Sequence, residues 1–140
     1  QFCEEVKRNE GIPGRPGPYD SKLHPFVIIQ NNRAVIERYA VQETAPVFEM
    51  ELHAIRIGGC AWVTNPFELY LDYGDQIRAR SPAEQTFVVQ LCGGGGGYLP
   101  SARAERLGGY GGLIINGQVG SDGGQMLVDA SVEAMAALWT

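Results

Sequence analysis

The sequence predicts an α/β fold, a mixed sheet with flanking helices. Three observations carry that prediction. Two β-rich runs, 48–57 and 60–64, are parted by Gly58-Gly59, the pattern of a hairpin. A segment with apolar residues three to four apart, 67–80, lies between that hairpin and a short apolar run at 86–91, giving a strand–helix–strand order. A second periodic stretch, about 124–139, forms a C-terminal helix, and no internal repeat interrupts the order.

Residues 1–10 look like the last turns of a helix. Phe2 and Val6 stand at i and i+4, charge follows, and Gly11 takes the place of a helix C′ residue. Residues 11–25 carry four prolines and three glycines and form an irregular connector. Together, 1–25 are the end of a helix plus a Pro/Gly-rich linker, and 26–140 are the folded remainder. Phe26–Gln30 and Ala34–Val41 look like strands separated by Asn31 and Asn32; the second can also be read as a short helix.

In 48–57 the apolar residues alternate as Phe48, Met50, Leu52, Ala54 or Ile55, and Ile57. After the hairpin, Asn65-Pro66 is expected to close a strand and open a helix with Pro at N1, where its missing N–H costs nothing. Phe67, Tyr70 or Leu71, Gly74 and Ile77 form that helix's apolar stripe, and Arg78 and Arg80 complement the dipole at its end. The run TFVVQL at 86–91 is the kind of strand buried on both faces. Beyond it come CGGGGG at 92–97, a short polar helix from Ser101 to about Leu107, a Gly-rich joint at 108–112, and a final helix capped by Ser121 or Asp122.

The 140 residues are the length of one domain. A net charge of −5 argues against a nucleic-acid backbone binder. No apolar run approaches the ~18 residues of a membrane span. Cys3, Cys60 and Cys92 are odd in number and widely spaced, which gives neither a disulfide framework nor a CxxC metal knuckle. The 19 glycines are about twice the usual share and show no three-residue period. The chain begins with Gln1 and lacks the order of a signal peptide, which suits a segment of a longer protein or a processed start.

Two features point to chemistry. Glu68, in the first turn of a helix just past a strand, is placed as a metal ligand or general base, although an acidic residue there also simply matches the helix dipole. The run Gly93–Gly97 before Tyr98 lets the backbone approach a ligand closely, or else is a plain flexible loop; it has no GK[ST] and no lysine nearby. The two histidines, His24 and His53, fall in no HxH or HExxH spacing, so this chain lacks the parts of a complete hydrolytic site.

Three stretches, LHAIRIGGCAWVTNPFELYLDYGDQIRARSP, TFVVQLCGGGGGYLPSARA and GSDGGQMLVDASVEAM, make Leu52–Trp139 resemble the neutral (alkaline, non-lysosomal) ceramidase family. The resemblance implies the C-terminal part of an α/β zinc-dependent catalytic domain. In that family, two His, a Glu opening a helix after a proline-containing turn, and a Tyr after a glycine- or asparagine-rich loop hold the zinc. The Glu falls on Glu68 and the Tyr on Tyr98. A further family Tyr twelve positions on, beside the scissile amide, falls on Tyr110. Phe67 stands in place of a small residue, CGGGGG in place of an asparagine-bearing loop, and Pro100-Ser101 in place of a Thr pair; the two histidine ligands have no counterpart.

What the resemblance implies for function is a zinc amidohydrolase acting on N-acyl lipids such as ceramide. Its catalytic domain would be completed by an N-terminal half outside this sequence, in a secreted or periplasmic protein. The chain alone is expected to be inactive. The other reading is a non-catalytic folding or interaction module that pairs with a partner, or with itself as a homo-oligomer, through exposed sheet edges.

Overall fold

The computed structural model describes residues 1–10 and 24–140, which separate into two compact units, Gln1–Val47 and Phe48–Thr140. The expected C′ residue Gly11 and most of the Pro/Gly-rich linker lie outside the described residues.

The first unit is a pair of helices. Helix α1, Phe2–Asn9, ends at Glu10, whose N–H donates to the Val6 carbonyl. Helix α2, Pro25–Val41, replaces the strand expected at Phe26–Gln30 and matches the helical alternative for Ala34–Val41. Three local interactions explain the correction. Pro25 occupies N1, the His24 Nδ1 accepts from the Phe26 N–H at 3.2 Å, and the Asn32 side chain donates to the Ile28 carbonyl at 2.7 Å. An Asn that bonds one turn back no longer ends the element, and burial of Val6 on α1 and Val35 on α2 outweighs the β-propensity of Val27, Ile28 and Ile29.

The second unit is a mixed sheet with flanking helices, as the sequence predicts. Strands β1, Ala54–Ile57, and β2, Cys60–Thr64, form the expected antiparallel hairpin around Gly58-Gly59, with Ile55 opposite Trp62. Residues 48–53 are extended but unpaired as a strand; Phe48, Met50 and Leu52 pack against the core in the alternation read from the sequence. Strand β4, Gln85–Val89, runs parallel to β2, so the order is β1–β2–β4.

The chain does not turn into a helix at Asn65-Pro66. It continues as β3, Phe67–Leu69, which pairs in parallel with β5, Gly97–Leu99, in a separate two-stranded sheet. The Asn65 side chain decides this. Its Oδ1 accepts from the Phe67 N–H, two residues on, and its Nδ2 donates to the Val89 carbonyl, so the corner is an Asx turn between strands and not a helix cap. Helix α3, Leu71–Arg80, starts one turn later than expected.

Helix α4, Ala102–Leu107, follows Ser101 as expected and ends at Gly108, which is left-handed at φ +67. A 3₁₀ turn spans Tyr110–Gly112. Helix α5, Ser121–Ala136, has Gly120 at its N-cap and not Ser121 or Asp122. The Glu105 carboxylate on α4 takes over the capping task, accepting from both the Ser121 N–H (2.8 Å) and its hydroxyl (2.7 Å).

Helices α3 and α5 cover one face of β1–β2–β4. Ala61, Val63, Phe67, Ile77, Leu99, Val128 and Met135 form the core between them, each at most 2% exposed. Tyr73 ties this core to the second half of the chain; its hydroxyl reaches the carbonyls of Pro100 (2.9 Å) and Ser121 (3.0 Å). Burial, then the charges of Glu105, Asp72 and Asp122, hold the Tyr73 phenol above its ordinary pKa. The expectation that 86–91 is buried on both faces fails. Phe87, Val89 and Leu91 are exposed; within the second unit the covering helices α3 and α5 lie on the other face.

Candidate functional site

The glycine run at 92–97 is built into the fold by backbone hydrogen bonds. The Cys92 N–H donates to Asn65 O and the Gly96 N–H to Pro66 O, both at 2.9 Å. On the other side, Gln118 donates through its side chain to Gly95 O and through its backbone to Gly96 O. Gly93, Gly94 and Gly97 have positive φ, and a Cβ on Gly96 would enter the Phe67 ring. The loop needs glycine for conformation and for close approach, and its ordering is met by these bonds.

The loop delivers Tyr98 to a fixed place. In the parallel β3–β5 pair the register sets Glu68 opposite Tyr98. The Tyr98 N–H donates to Asn116 O at 2.9 Å, and the Tyr70 N–H donates to Leu99 O at 3.3 Å, which carries the ladder past the end of β3. Glu68 and Tyr70, two residues apart on an extended chain, share a face.

The side chains meet on that face. The neighbouring Glu68 carboxylate, acting as hydrogen-bond acceptor toward the phenol, then partial burial, the Glu68 charge and the Tyr110 and Tyr70 phenols, push the Tyr98 pKa above its ordinary value. Tyr110, on the 3₁₀ turn, meets Tyr98 edge to face with ring centroids 5.5 Å apart. Gly111 sits under the rings: a Cβ there would lie 2.6 Å from the Tyr70 hydroxyl and 2.9 Å from Tyr98 Cδ1.

All three residues singled out from the sequence, Glu68, Tyr98 and Tyr110, therefore come together, although Glu68 reaches the site from a strand and not from a helix. Two members, Tyr70 and Gly111, were not foreseen. In the sequence Tyr70 falls in a helical apolar stripe; its i, i+2 relation to Glu68 follows from the extended backbone of 67–70. The histidines stand on other elements. His24 caps α2, and His53 lies before β1, its Nε2 3.5 Å from the Glu51 carboxylate. Among the described residues no three His, Cys, Asp or Glu side chains gather as a metal cage. Cys3, Cys60 and Cys92 are free thiols.

A cleft of about 360 Å³, lined in part by Pro100, Leu113, Ile114 and Val119, adjoins the cluster at Gly111. No helix among the described residues is long and apolar enough to cross a membrane. Comparison with protein-family models, with curated proteins and with solved structures finds no match.

Proposed function

We propose that Glu68, Tyr98 and Tyr110 form part of the active site of a zinc-dependent amidohydrolase acting on N-acyl lipids, of the neutral ceramidase type. The observation that supports this reading is the Glu68–Tyr98 pair: two oxygen-bearing side chains set opposite each other by strand register, with the carboxylate pushing the phenol pKa up. A carboxylate and a phenol oxygen are chemically suited to zinc beside imidazoles. Glu68 and Tyr98 would hold the ion; zinc supplies a polarised carbonyl and a water of lowered pKa when bound.

The chain's own residues have definite tasks in this reading. Tyr98 stands beside the Glu68 carboxylate, which keeps the phenol protonated; for the two to serve as ligands beside each other, the phenol would have to release its proton to solvent while Glu68 stays ionised. Tyr110, 56% exposed at the rim, offers a hydroxyl to an oxyanion developing on the amide. The apolar cleft at Leu113 and Ile114 suits an alkyl chain. The imidazole ligands come from a part of the catalytic domain outside the described residues, and the chain alone is inactive.

Titration of the 140-residue chain with Zn²⁺, followed by calorimetry and by the Tyr98 ring resonances, tests the reading. Weak binding that perturbs Tyr98 and disappears in both Glu68→Gln and Tyr98→Phe is expected, with no hydrolysis of ceramide. Binding unaffected by both substitutions, or lost in His53→Ala alone, would overturn it.

A second reading, an interaction module that pairs through its sheet edges, is favoured by the position of β1 and β4. Both are outer strands of their sheet, and β1 is mostly exposed.

A further inference from the structure

Asn116 touches the backbone of both Tyr98 and Tyr110. Its carbonyl accepts from the Tyr98 N–H at 2.9 Å, and its side-chain Nδ2 donates to the Tyr110 carbonyl at 2.7 Å. Its own N–H donates to Leu113 O at 2.8 Å, closing the turn that brings it there. Gly117 follows and forms an isolated antiparallel bridge with Gly97. A Cβ on Gly117 would run into the Tyr98 carbonyl oxygen, so only glycine fits. The packing around the cluster thus calls for an amide donor at 116 and no side chain at 117.

The pair selected in this way is chemically labile. Asparagine is a thermolabile residue, and its amide carbon is attacked most readily when the next residue has no side chain to shield its nitrogen. Elsewhere in the chain Asn9 precedes Glu10, Asn31 precedes Asn32, Asn32 precedes Arg33, and Asn65 precedes Pro66, which has no N–H. Asn116 alone precedes glycine. Asn9, Asn31 and Asn32 are also held in helices, whereas Asn116 lies in a turn. The bonds flanking Gly117, from Tyr98 N–H to Asn116 O and from Gln118 N–H to Gly96 O, are those of a non-hydrogen-bonded antiparallel pair. The Gly117 N–H is therefore turned away from β5 and is no part of that ladder.

We propose that Asn116-Gly117 is a self-modifying site whose deamidation releases Tyr110 from Tyr98. The Gly117 nitrogen attacks Asn116 Cγ. The new N–C bond replaces the Cγ–Nδ2 bond, and Nδ2 leaves as ammonia with the proton given up by the Gly117 N–H. Water then opens the cyclic imide, at Cγ to give aspartate or at the main-chain carbonyl to give isoaspartate. The atom that leaves is the one that holds Tyr110. A carboxylate oxygen in its place cannot donate, so two acceptors face each other across the Tyr110 carbonyl. Isoaspartate goes further, because the carbonyl that accepts from the Tyr98 N–H is no longer in the main chain. Either product loosens the tyrosine cluster with time. The inference does not rest on the zinc reading, since only the chain's own residues and water take part.

The test is to age the 140-residue chain at neutral pH and physiological temperature, with peptide mapping by mass spectrometry and NMR of the tyrosine rings. Asn116 should convert to aspartate and isoaspartate roughly tenfold faster, or more, than Asn9, Asn31 or Asn32. Nuclear Overhauser effects between the Tyr98 and Tyr110 rings should fade in step with that conversion. Freshly made Asn116→Asp, which carries one of the two products, should lack those effects while keeping the far-UV circular dichroism of wild type. Asn116→Gln, whose longer side chain closes an imide slowly, should stay unconverted. If Asn116→Asp does not fold, the aged wild-type chain carries the comparison. Conversion at 116 no faster than at the other asparagines, conversion in Asn116→Gln as fast as in wild type, or a Tyr98–Tyr110 contact that survives conversion or persists in folded Asn116→Asp would each overturn the proposal.

Discussion

Glu68 and Tyr98 stand opposite each other in a parallel strand pair, and the carboxylate of one raises the pKa of the other's phenol. They are 30 positions apart in the chain, with a helix, a strand and a glycine loop between them. Their meeting depends on the bend at Asn65-Pro66, which lets one extended chain pair with β4 before the bend and with β5 after it. A group so placed has its acid–base behaviour set by its partner, and that behaviour can be measured.

Ionising Tyr98 places a phenolate beside a carboxylate, and this is why its pKa is raised. In Glu68→Gln the partner is neutral, and the Tyr98 pKa should fall toward the ordinary phenol value of about 10. A group whose pKa is higher in the folded than in the unfolded chain stabilises the fold below the unfolded pKa and loses that contribution as pH rises through the folded one. The wild-type chain should therefore lose stability with rising pH, beginning near pH ~10, more steeply than Glu68→Gln. NMR titration of the Tyr98 ring carbon checks the shift, and an unchanged pKa in the variant would show that the carboxylate is not its cause.

Gly95 and Gly96 are neighbours with opposite tolerance. A Cβ on Gly96 would enter the Phe67 ring, which is 2% exposed, whereas one on Gly95 meets nothing within 4 Å. Gly96→Ala should cost about 1–3 kcal/mol as an overpacked contact. Gly95→Ala should change stability by no more than ~0.5 kcal/mol. Urea unfolding of the two variants side by side makes the comparison, and equal losses would mean that the loop is not held as described.

The contrast between these glycines shows what sequence alone could and could not reveal. The hairpin at Gly58-Gly59, helix α4 after Ser101 and the C-terminal helix follow from local turn and cap chemistry, and they were legible. Glu68 and Tyr98 were singled out by their places at the ends of apolar runs, whereas Tyr110 was singled out through the resemblance alone. The strand expected at 26–30 and the helix expected to open at Asn65-Pro66 both give way to other elements, and an Asn contributes in each case. In each, an Asn side chain makes a hydrogen bond whose partner depends on the fold: Asn32 bonds back to Ile28, and Asn65 bonds to Phe67 and Val89. The same residue type serves a turn, a cap or a helix interior, and only the completed structure selects among them. The exposure of Phe87, Val89 and Leu91 was hidden likewise, since an apolar run does not say which of its faces the helices of its own unit will cover.

Ser131 lies on α5 at 1% exposure, and its hydroxyl has no hydrogen-bond partner among the described residues. Folding strips that hydroxyl of water without replacing the bond, a cost of about 1–3 kcal/mol. Ser131→Ala removes the group and leaves almost the same volume behind. The variant should be as stable as wild type or more stable by up to ~1 kcal/mol, in contrast to the usual sign of a core substitution. Thermal or denaturant unfolding measures it; a loss of more than ~1 kcal/mol would mean that the hydroxyl is bonded in solution.

Gly111 controls the approach of the 108–112 segment to the tyrosine cluster. A Cβ at that position would lie 2.6 Å from the Tyr70 hydroxyl and 2.9 Å from Tyr98 Cδ1. In Gly111→Ala either the 3₁₀ turn moves or the rings swing aside about their side-chain torsions, and each movement parts Tyr98 from Tyr110. The expected result is loss of the edge-to-face contact between Tyr98 and Tyr110, read as lost nuclear Overhauser effects and ring-current shifts between the two rings. The stability change should be modest, about 1 kcal/mol, because the core beneath is untouched. Gly109→Ala is the matched control. It is in the same segment at φ −62 with nothing within 4 Å of a Cβ, and should leave the contact intact. If both variants keep the Tyr98–Tyr110 contact, then Gly111 does not set the position of Tyr110. If both lose it, the segment is sensitive to any added side chain, and the close packing under the rings is not the reason.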